Sequence, residues 1–189
     1  MDRAIDERFE PLRGTPILDR VFYTASALGE FGAIWVLLGL LRSLRGSESD
    51  RRAGRRTVVG SVIESLTVNI GIKSLFLRRR PVQARHHPYR LREPRTSSFP
   101  SGHATAAFCA ATLLSEDDPL APAYYTLAAV VAASRVYVQI HHASDVIGGI
   151  AIGIALGRLG RALAPLPRPG EPTDRELPRP PLTSLHRPG

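Results

Sequence analysis

The 189-residue chain suits one domain with a buried core, and its single cysteine, Cys109, excludes an internal disulfide and a cysteine-based zinc site. A formal net charge of +8 would fit a soluble nucleic-acid binder. The distribution argues otherwise: the arginines bracket long apolar blocks, with no nucleic-acid motif and no interleaving of aromatic with basic residues.

In chain order, residues 1–20 mix Asp2, Asp6, Glu7, Glu10 and Asp19 with Arg3, Arg8, Arg13 and Arg20. They lack the basic-then-apolar layout of a cleavable signal peptide and read as a polar segment suited to a short interfacial helix. Val21 to Leu41 is apolar except for Glu30, long enough to cross a hydrocarbon core of roughly 30 Å. Thr57 to Leu77 is a second such block, interrupted by Glu64, Asn69 and Lys73. A third runs from Ser98 to Ser115, and a fourth from Leu120 to Val138 with Arg135 inside it. The fifth, Ala143 to Leu163, carries Gly148, Gly149, Gly153 and Gly157, which let helix backbones approach closely in a bilayer.

The pattern predicts an all-α integral membrane bundle of five spanning helices, with the N-terminal segment as a candidate sixth, interfacial helix. It divides the chain into the polar segment 1–20, a membrane-embedded domain 21–164 and a proline- and arginine-rich tail 165–189 expected to be disordered. Charged residues inside spans are costly, so Glu30 and Glu64 each need a basic partner, whereas Lys73 and Arg135 lie near span ends and could snorkel to the headgroups.

Between the first two blocks, Arg42, Arg45, Arg51, Arg52, Arg55 and Arg56 outnumber Glu48 and Asp50, which marks that loop as cytoplasmic. The loop after the second block is basic too, with Arg78, Arg79, Arg80, Arg85, Arg90, Arg92 and Arg95. Both cannot be cytoplasmic, so the first cluster is read as setting topology and the second as retained for substrate, on the outer face of the cell membrane. Crossing parity then brings Lys73 and Arg80, Ser101 to His103, and Arg135 to Asp145 to one side.

Each piece suits an anion. Ser101 and Gly102 offer a hydroxyl and unobstructed backbone N–H groups at a helix start, where the dipole favours negative charge, with His103 in the first turn. Lys73 and Arg80 are seven apart, two turns, so a helix running to Pro81 would put both on one face to clamp a phosphate, and Arg135 adds a guanidinium. His141 and Asp145 are one turn apart, so the carboxylate can fix one imidazole tautomer for a nucleophile or general base. A metal site built from His103, His141, His142 and Asp145 is the other reading; converging cations favour an anion over a divalent ion.

The ordered set Lys73-x6-Arg80-Pro81, Pro100-Ser101-Gly102-His103 and Ser134-Arg135-x5-His141-x3-Asp145 resembles the three-part signature of the type 2 phosphatidic acid phosphatase and vanadium haloperoxidase superfamily. Ser97-Ser98-Phe99 and Asp145-Val146-Ile147-Gly148-Gly149 are also similar to its bacterial membrane members. The resemblance implies that His141 attacks phosphorus, Asp145 orients it, and His103 protonates the leaving oxygen and then helps activate water. It implies that Lys73, Arg80, Arg135, Ser101 and Gly102 hold the phosphate oxygens, with no cofactor and no metal. Spacing selects His141 over His142 as the nucleophile. The implied activity is hydrolysis of a lipid phosphate or diphosphate, with polyprenyl carriers and glycerolipid phosphates as substrates and the bilayer as partner, without nucleic acid. A vanadate-dependent haloperoxidase and a non-enzymatic basic membrane scaffold are the competing readings.

Overall fold

The computed structural model describes residues 1–82, Tyr89 and residues 96–167, the side chain of Phe31 aside. The tail expected to be disordered lies outside the described residues from 168 onward, as do Arg85, Arg90, Arg92 and Arg95.

Among the described residues the regular structure is helical, in seven α-helices. These are α1 (Asp2–Phe9), α2 (Pro16–Leu28), α3 (Ala33–Ser43), α4 (Glu48–Leu66), α5 (Gly102–Leu114), α6 (Ala121–Tyr137) and α7 (Ala143–Leu163). Local chemistry sets their starts. Pro16 opens α2 at a position that needs no N–H donor, and the Ser47 hydroxyl accepts the Asp50 N–H at 2.9 Å to begin α4. At the start of α7 the His142 carbonyl accepts the Asp145 N–H at 3.0 Å while the Asp145 carboxylate accepts the His142 N–H at 2.9 Å.

Two breaks depart from the uninterrupted spans expected from hydropathy. The Val21 to Leu41 block splits at the tight turn Glu30–Gly32, where Gly32 takes φ +68°, and α2 and α3 meet at a 73° bend. After Leu66, α4 loosens through a π-helical turn (Thr67–Gly71), tightens in a 3-10 turn (Ile72–Leu75), and runs extended from Phe76. No helix therefore carries Lys73 and Arg80 on a shared face. Arg80 stands on an extended segment tied to residues 97–98 by the Ser98 N–H to the Arg78 carbonyl at 2.9 Å and the Arg78 N–H to the Ser97 hydroxyl at 3.3 Å.

Among the described residues two helices are long and apolar enough to cross a membrane, Glu48–Leu75 and α7, or three if the bent α2–α3 pair counts as one span. The third and fourth expected spans are the 13-residue α5 and the 17-residue α6, both shorter than the ~20 residues a straight crossing needs. Nine of the 13 residues of α5 are buried, so its apolar character serves the bundle interior, packed by α4, α6 and α7. The outward faces are apolar as well: Leu37, Leu40 and Leu41 on α3, Val59, Val62, Ile63 and Leu66 on α4, and Ile147 and Leu159 on α7 are exposed, a surface suited to lipid.

The α5–α7 contact fixes the site. A Cβ at Gly149 would lie 2.7 Å from the Ser101 carbonyl oxygen, and one at Gly153 would lie 2.4 Å from that of Thr105. The two backbones thus touch directly. At the C-terminal end of α5 the first arginine cluster closes on acceptors. Arg42 reaches the Leu114 and Glu116 carbonyls and Asp50, Arg45 pairs with Asp118 at 2.6 Å, and Arg56 donates to the Leu113 and Ala164 carbonyls and pairs with Glu116 at 2.6 Å.

Candidate active site

The site forms at the N-terminal end of α5, where the extended segment 76–82, the α6–α7 turn and the start of α7 converge. Backbone bonds close that turn: the Ile140 and His141 N–H groups both donate to the Arg135 carbonyl, at 3.2 and 3.1 Å, and the Ser101 N–H donates to the Asp145 carbonyl at 3.0 Å. The second and third motif segments are thereby joined main chain to main chain.

His141 is 3% exposed, and its two ring nitrogens have different neighbours. An Arg80 terminal nitrogen lies 3.2 Å from Nε2, while Ser98 Oγ and Asp145 Oδ2 lie 3.5 and 3.7 Å from Nδ1. A guanidinium can only donate, so Nε2 accepts and the ring proton sits on Nδ1, toward the carboxylate. Burial pushes the His141 imidazole down to about 4, with the Arg135 and Arg80 charges adding to it and the Asp145 hydrogen bond opposing it. The ring is neutral at physiological pH, its Nε2 lone pair turned to the arginines.

Asp145 is fully buried and saturated: Oδ2 accepts from the Ser98 hydroxyl at 2.5 Å and the His142 N–H at 2.9 Å, and Oδ1 accepts from Arg78 at 2.7 Å. Arg80 also donates to the carbonyls of Ile140 at 3.1 Å, Thr96 at 3.2 Å and Ser97 at 3.4 Å. Lys73 and Arg135 do not snorkel; both are buried. The Lys73 ammonium donates to Asn69 at 3.0 Å and stands 3.2 Å from where a Gly102 Cβ would be, so the missing side chain opens the helix start to the cation. Arg135 donates to the Ser26 hydroxyl, and its Nε is buried without a partner, as is the Ser101 hydroxyl. Two polar groups left unsatisfied at one site of accumulated positive charge are what an anion's oxygens would complete.

His103 Nε2 lies 3.1 Å from the Ser26 carbonyl, to which it donates. The ring lies within the fields of Arg135, His141 and Lys73. Glu30 and Glu64, unpartnered in the sequence reading, lie in the fields of Arg135 and Lys73 respectively. His142 caps α7, and among the described residues no three His, Cys, Asp or Glu side chains cluster as metal ligands would.

Residues 56–166, from within α4 to just past α7, match the PAP2 superfamily. The chain belongs to this family. The decaprenylphosphoryl-5-phosphoribose phosphatase of Mycobacterium tuberculosis is 33% identical over 145 residues, 72% of this chain and 76% of its own length. The lipid A 1-phosphatase of Porphyromonas gingivalis is 44% identical over 69 residues, 34% of this chain and 16% of its own. The crystal structure of Aquifex aeolicus LpxE superposes with a TM-score of 0.63 at 26% identity, covering 82% of this chain and 93% of that one. The transmembrane PAP2-type phosphatidylglycerolphosphate phosphatase of Bacillus subtilis shares the fold, with a TM-score of 0.61 at 23% identity over 86% and 83% of the two chains. The chain is thus a membrane protein of the PAP2 type whose relatives are lipid phosphate phosphatases.

The sequence reading missed Ser26, whose carbonyl holds His103 and whose hydroxyl holds Arg135, and Arg78, which holds Asp145. Ser26 lies in an apolar block with nothing to distinguish it. Arg78 is one of three consecutive arginines, Arg78, Arg79 and Arg80, and composition alone ranks none of them.

Proposed function

We propose that the chain is a metal-independent membrane phosphatase that hydrolyses a lipid phosphate or diphosphate through a phosphohistidine on His141. The observation that carries the reading is the opposed environment of the His141 ring, with Arg80 on Nε2 and Asp145 and Ser98 on the Nδ1 side. Nε2 attacks phosphorus in line, the Nδ1–H stays directed at Asp145, and the carboxylate stabilises the charge that the ring gains. Lys73, Arg80, Arg135, the Ser101 hydroxyl and the Gly102 N–H take the equatorial oxygens, where negative charge is spread in the transition state. The bond from phosphorus to the lipid oxygen breaks as His103, carrying a second ring proton that the bound anion favours, donates that proton to it. Its Nε2–H is committed to the Ser26 carbonyl, so Nδ1 is the nitrogen that exchanges the proton. Water then attacks phosphorus while His103 takes its proton, and the phosphorus–nitrogen bond breaks with its electron pair returning to Nε2, which releases phosphate and restores both histidines.

The lipid-facing bundle, 21–164, receives an acyl or prenyl tail while the headgroup meets the basic pocket. The mycobacterial relative supports a polyprenyl phosphate substrate, with glycerolipid phosphates next. The arginines at the far end of α5 mark the cytoplasmic side, which puts the site on the outer face with the segment 1–20 along the interface.

The test is phosphate release by detergent-purified protein in excess EDTA from polyprenyl and glycerolipid phosphates, with His141→Asn beside it. Release that persists in EDTA and disappears in the variant supports the reading. Release that requires a divalent ion overturns it.

A further inference from the structure

The family match begins at residue 56, yet a carboxylate from the other end of the chain reaches this site. Asp2, the first residue of α1, accepts three hydrogen bonds: from the Ser144 N–H, the Ser144 hydroxyl and Arg78 Nη2, each at 2.8 Å. Arg78 Nη1 in turn donates to Ser144 Oγ at 2.8 Å and to Asp145 Oδ1 at 2.7 Å. The guanidinium fork is therefore held between two carboxylates, one from α1 and one from α7.

The chemistry of this bridge bears on His141. Ser144 stands in the first turn of α7, so its N–H is one of the donors that a helix start leaves unpaired, and Asp2 caps it from another helix. Asp145 has two oxygens with separate duties: Oδ2 takes Ser98 and the His142 N–H and faces His141 Nδ1, while Oδ1 takes Arg78. Anchoring Oδ1 fixes the plane of the carboxylate, and with it the direction in which Oδ2 presents to the ring. Arg78 bonds the Asp145 oxygen that His141 does not face, so it acts on the carboxylate rather than on the nitrogen that Arg80 faces. The N-terminal segment does not depend on Asp2 for its place. Arg13 also ties it to the Val136 and Tyr137 carbonyls at 3.1 and 2.9 Å, and Phe9 packs edge-on against Phe22 and Tyr137.

We propose that Asp2 and Arg78 are positioning residues for the phosphate chemistry: α1 docks on the start of α7 and, through Arg78, aims Asp145 at His141 Nδ1. The inference rests on the phosphatase reading. It adds that residues upstream of the family match belong to the working site, and that Arg78 and Arg80, two apart, act on opposite sides of one histidine. One serves the carboxylate, the other the phosphate.

The experiment compares wild type, Asp2→Asn, Arg78→Gln, Arg78→Lys and the double variant Asp2→Asn/Arg78→Gln in the lipid phosphate assay. Vanadate inhibition reports anion affinity, and the 15N shifts of His141, identified by the signals lost in His141→Asn, report which ring nitrogen carries the proton. The expected result is a kcat lowered about tenfold in Arg78→Gln and less in Asp2→Asn, with KM and vanadate inhibition unchanged. The double variant is then no worse than Arg78→Gln alone, since both act through one bridge, and Arg78→Lys recovers part of the loss. A raised KM and weakened vanadate inhibition with kcat intact would make Arg78 a phosphate ligand and overturn the proposal, as would unchanged kcat in both single variants or additive losses in the double. If wild type releases no phosphate from any lipid, the phosphatase reading falls and the nitrogen shifts decide this one. A mixed tautomer in Arg78→Gln supports positioning, and an undisturbed Nδ1–H tautomer overturns it.

Discussion

The two ends of α5 each gather arginines, and they differ in what those arginines are offered. At the C-terminal end Arg42, Arg45 and Arg56 meet Asp50, Asp118 and Glu116 and the carbonyls that finish α5 and α7. Cations there satisfy the negative end of a helix and are neutralised by carboxylates. At the N-terminal end Lys73, Arg80 and Arg135 are hydrogen-bonded by an amide oxygen, backbone carbonyls and a hydroxyl, Glu64 and Glu30 act on Lys73 and Arg135 through their fields, and the buried carboxylate of Asp145 is held by Arg78. Neutral acceptors orient a cation without cancelling it. One end spends its charge on closing the bundle; the other holds it beside His141 and the start of α5.

The sharpest way to break this comparison is to test whether chemistry lives at one end and stability at the other. His141→Asn should lower phosphate release at least about 10³-fold while leaving the thermal midpoint in detergent near wild type. Arg42→Met, at 1% exposure, should cost about 3 kcal/mol of stability by leaving Asp50 and the Leu114 carbonyl uncompensated, with turnover per folded molecule unchanged. A loss of turnover there would erase the distinction. Arg80→Lys should lower kcat/KM by about 100-fold with stability kept, because an ammonium cannot face Nε2 and the carbonyls as the planar fork does. Gly29→Ala brings a methyl to 2.7 Å from His103 Cδ2 and 2.9 Å from Val131 Cγ1, and should cost about 2 kcal/mol and part of kcat together.

The smallest expected effect is in pH. His141 titrates lower when folded than when unfolded, so between about 6.5 and about 4 the unfolded chain binds more protons and stability falls as pH is lowered. The thermal midpoint should decline across that window, and less steeply in His141→Asn.

Much of the site was legible before any coordinates because its residues lie in local spacings. His141 and Asp145 sit one turn apart, and Ser101-Gly102-His103 starts a helix in the structure as in the sequence. The Lys73–Arg80 spacing was read through the wrong local structure. A helix was expected to align them, whereas a π-turn and an extended segment bring Arg80 over from the side. The span count departs from the helix lengths on a similar point. A hydropathy window does not register the 73° bend around Gly32, nor that α5 is apolar because it is enclosed by other helices. The contacts of Ser26 and Asp2 were beyond sequence reasoning altogether, since each joins residues more than seventy positions apart.

The absence of side chains along one face of α7 has a consequence for the spacing of the two motif histidines. Gly149 and Gly153 let α7 lie against the carbonyls of Ser101 and Thr105, and Gly157 packs on Thr112 further down. The separation of His103 on α5 from His141 just before α7 is therefore set by main-chain contact, which has no rotamers to adjust. A single methyl added at Gly149 would act as a spacer, moving His103 and His141 apart without touching either ring.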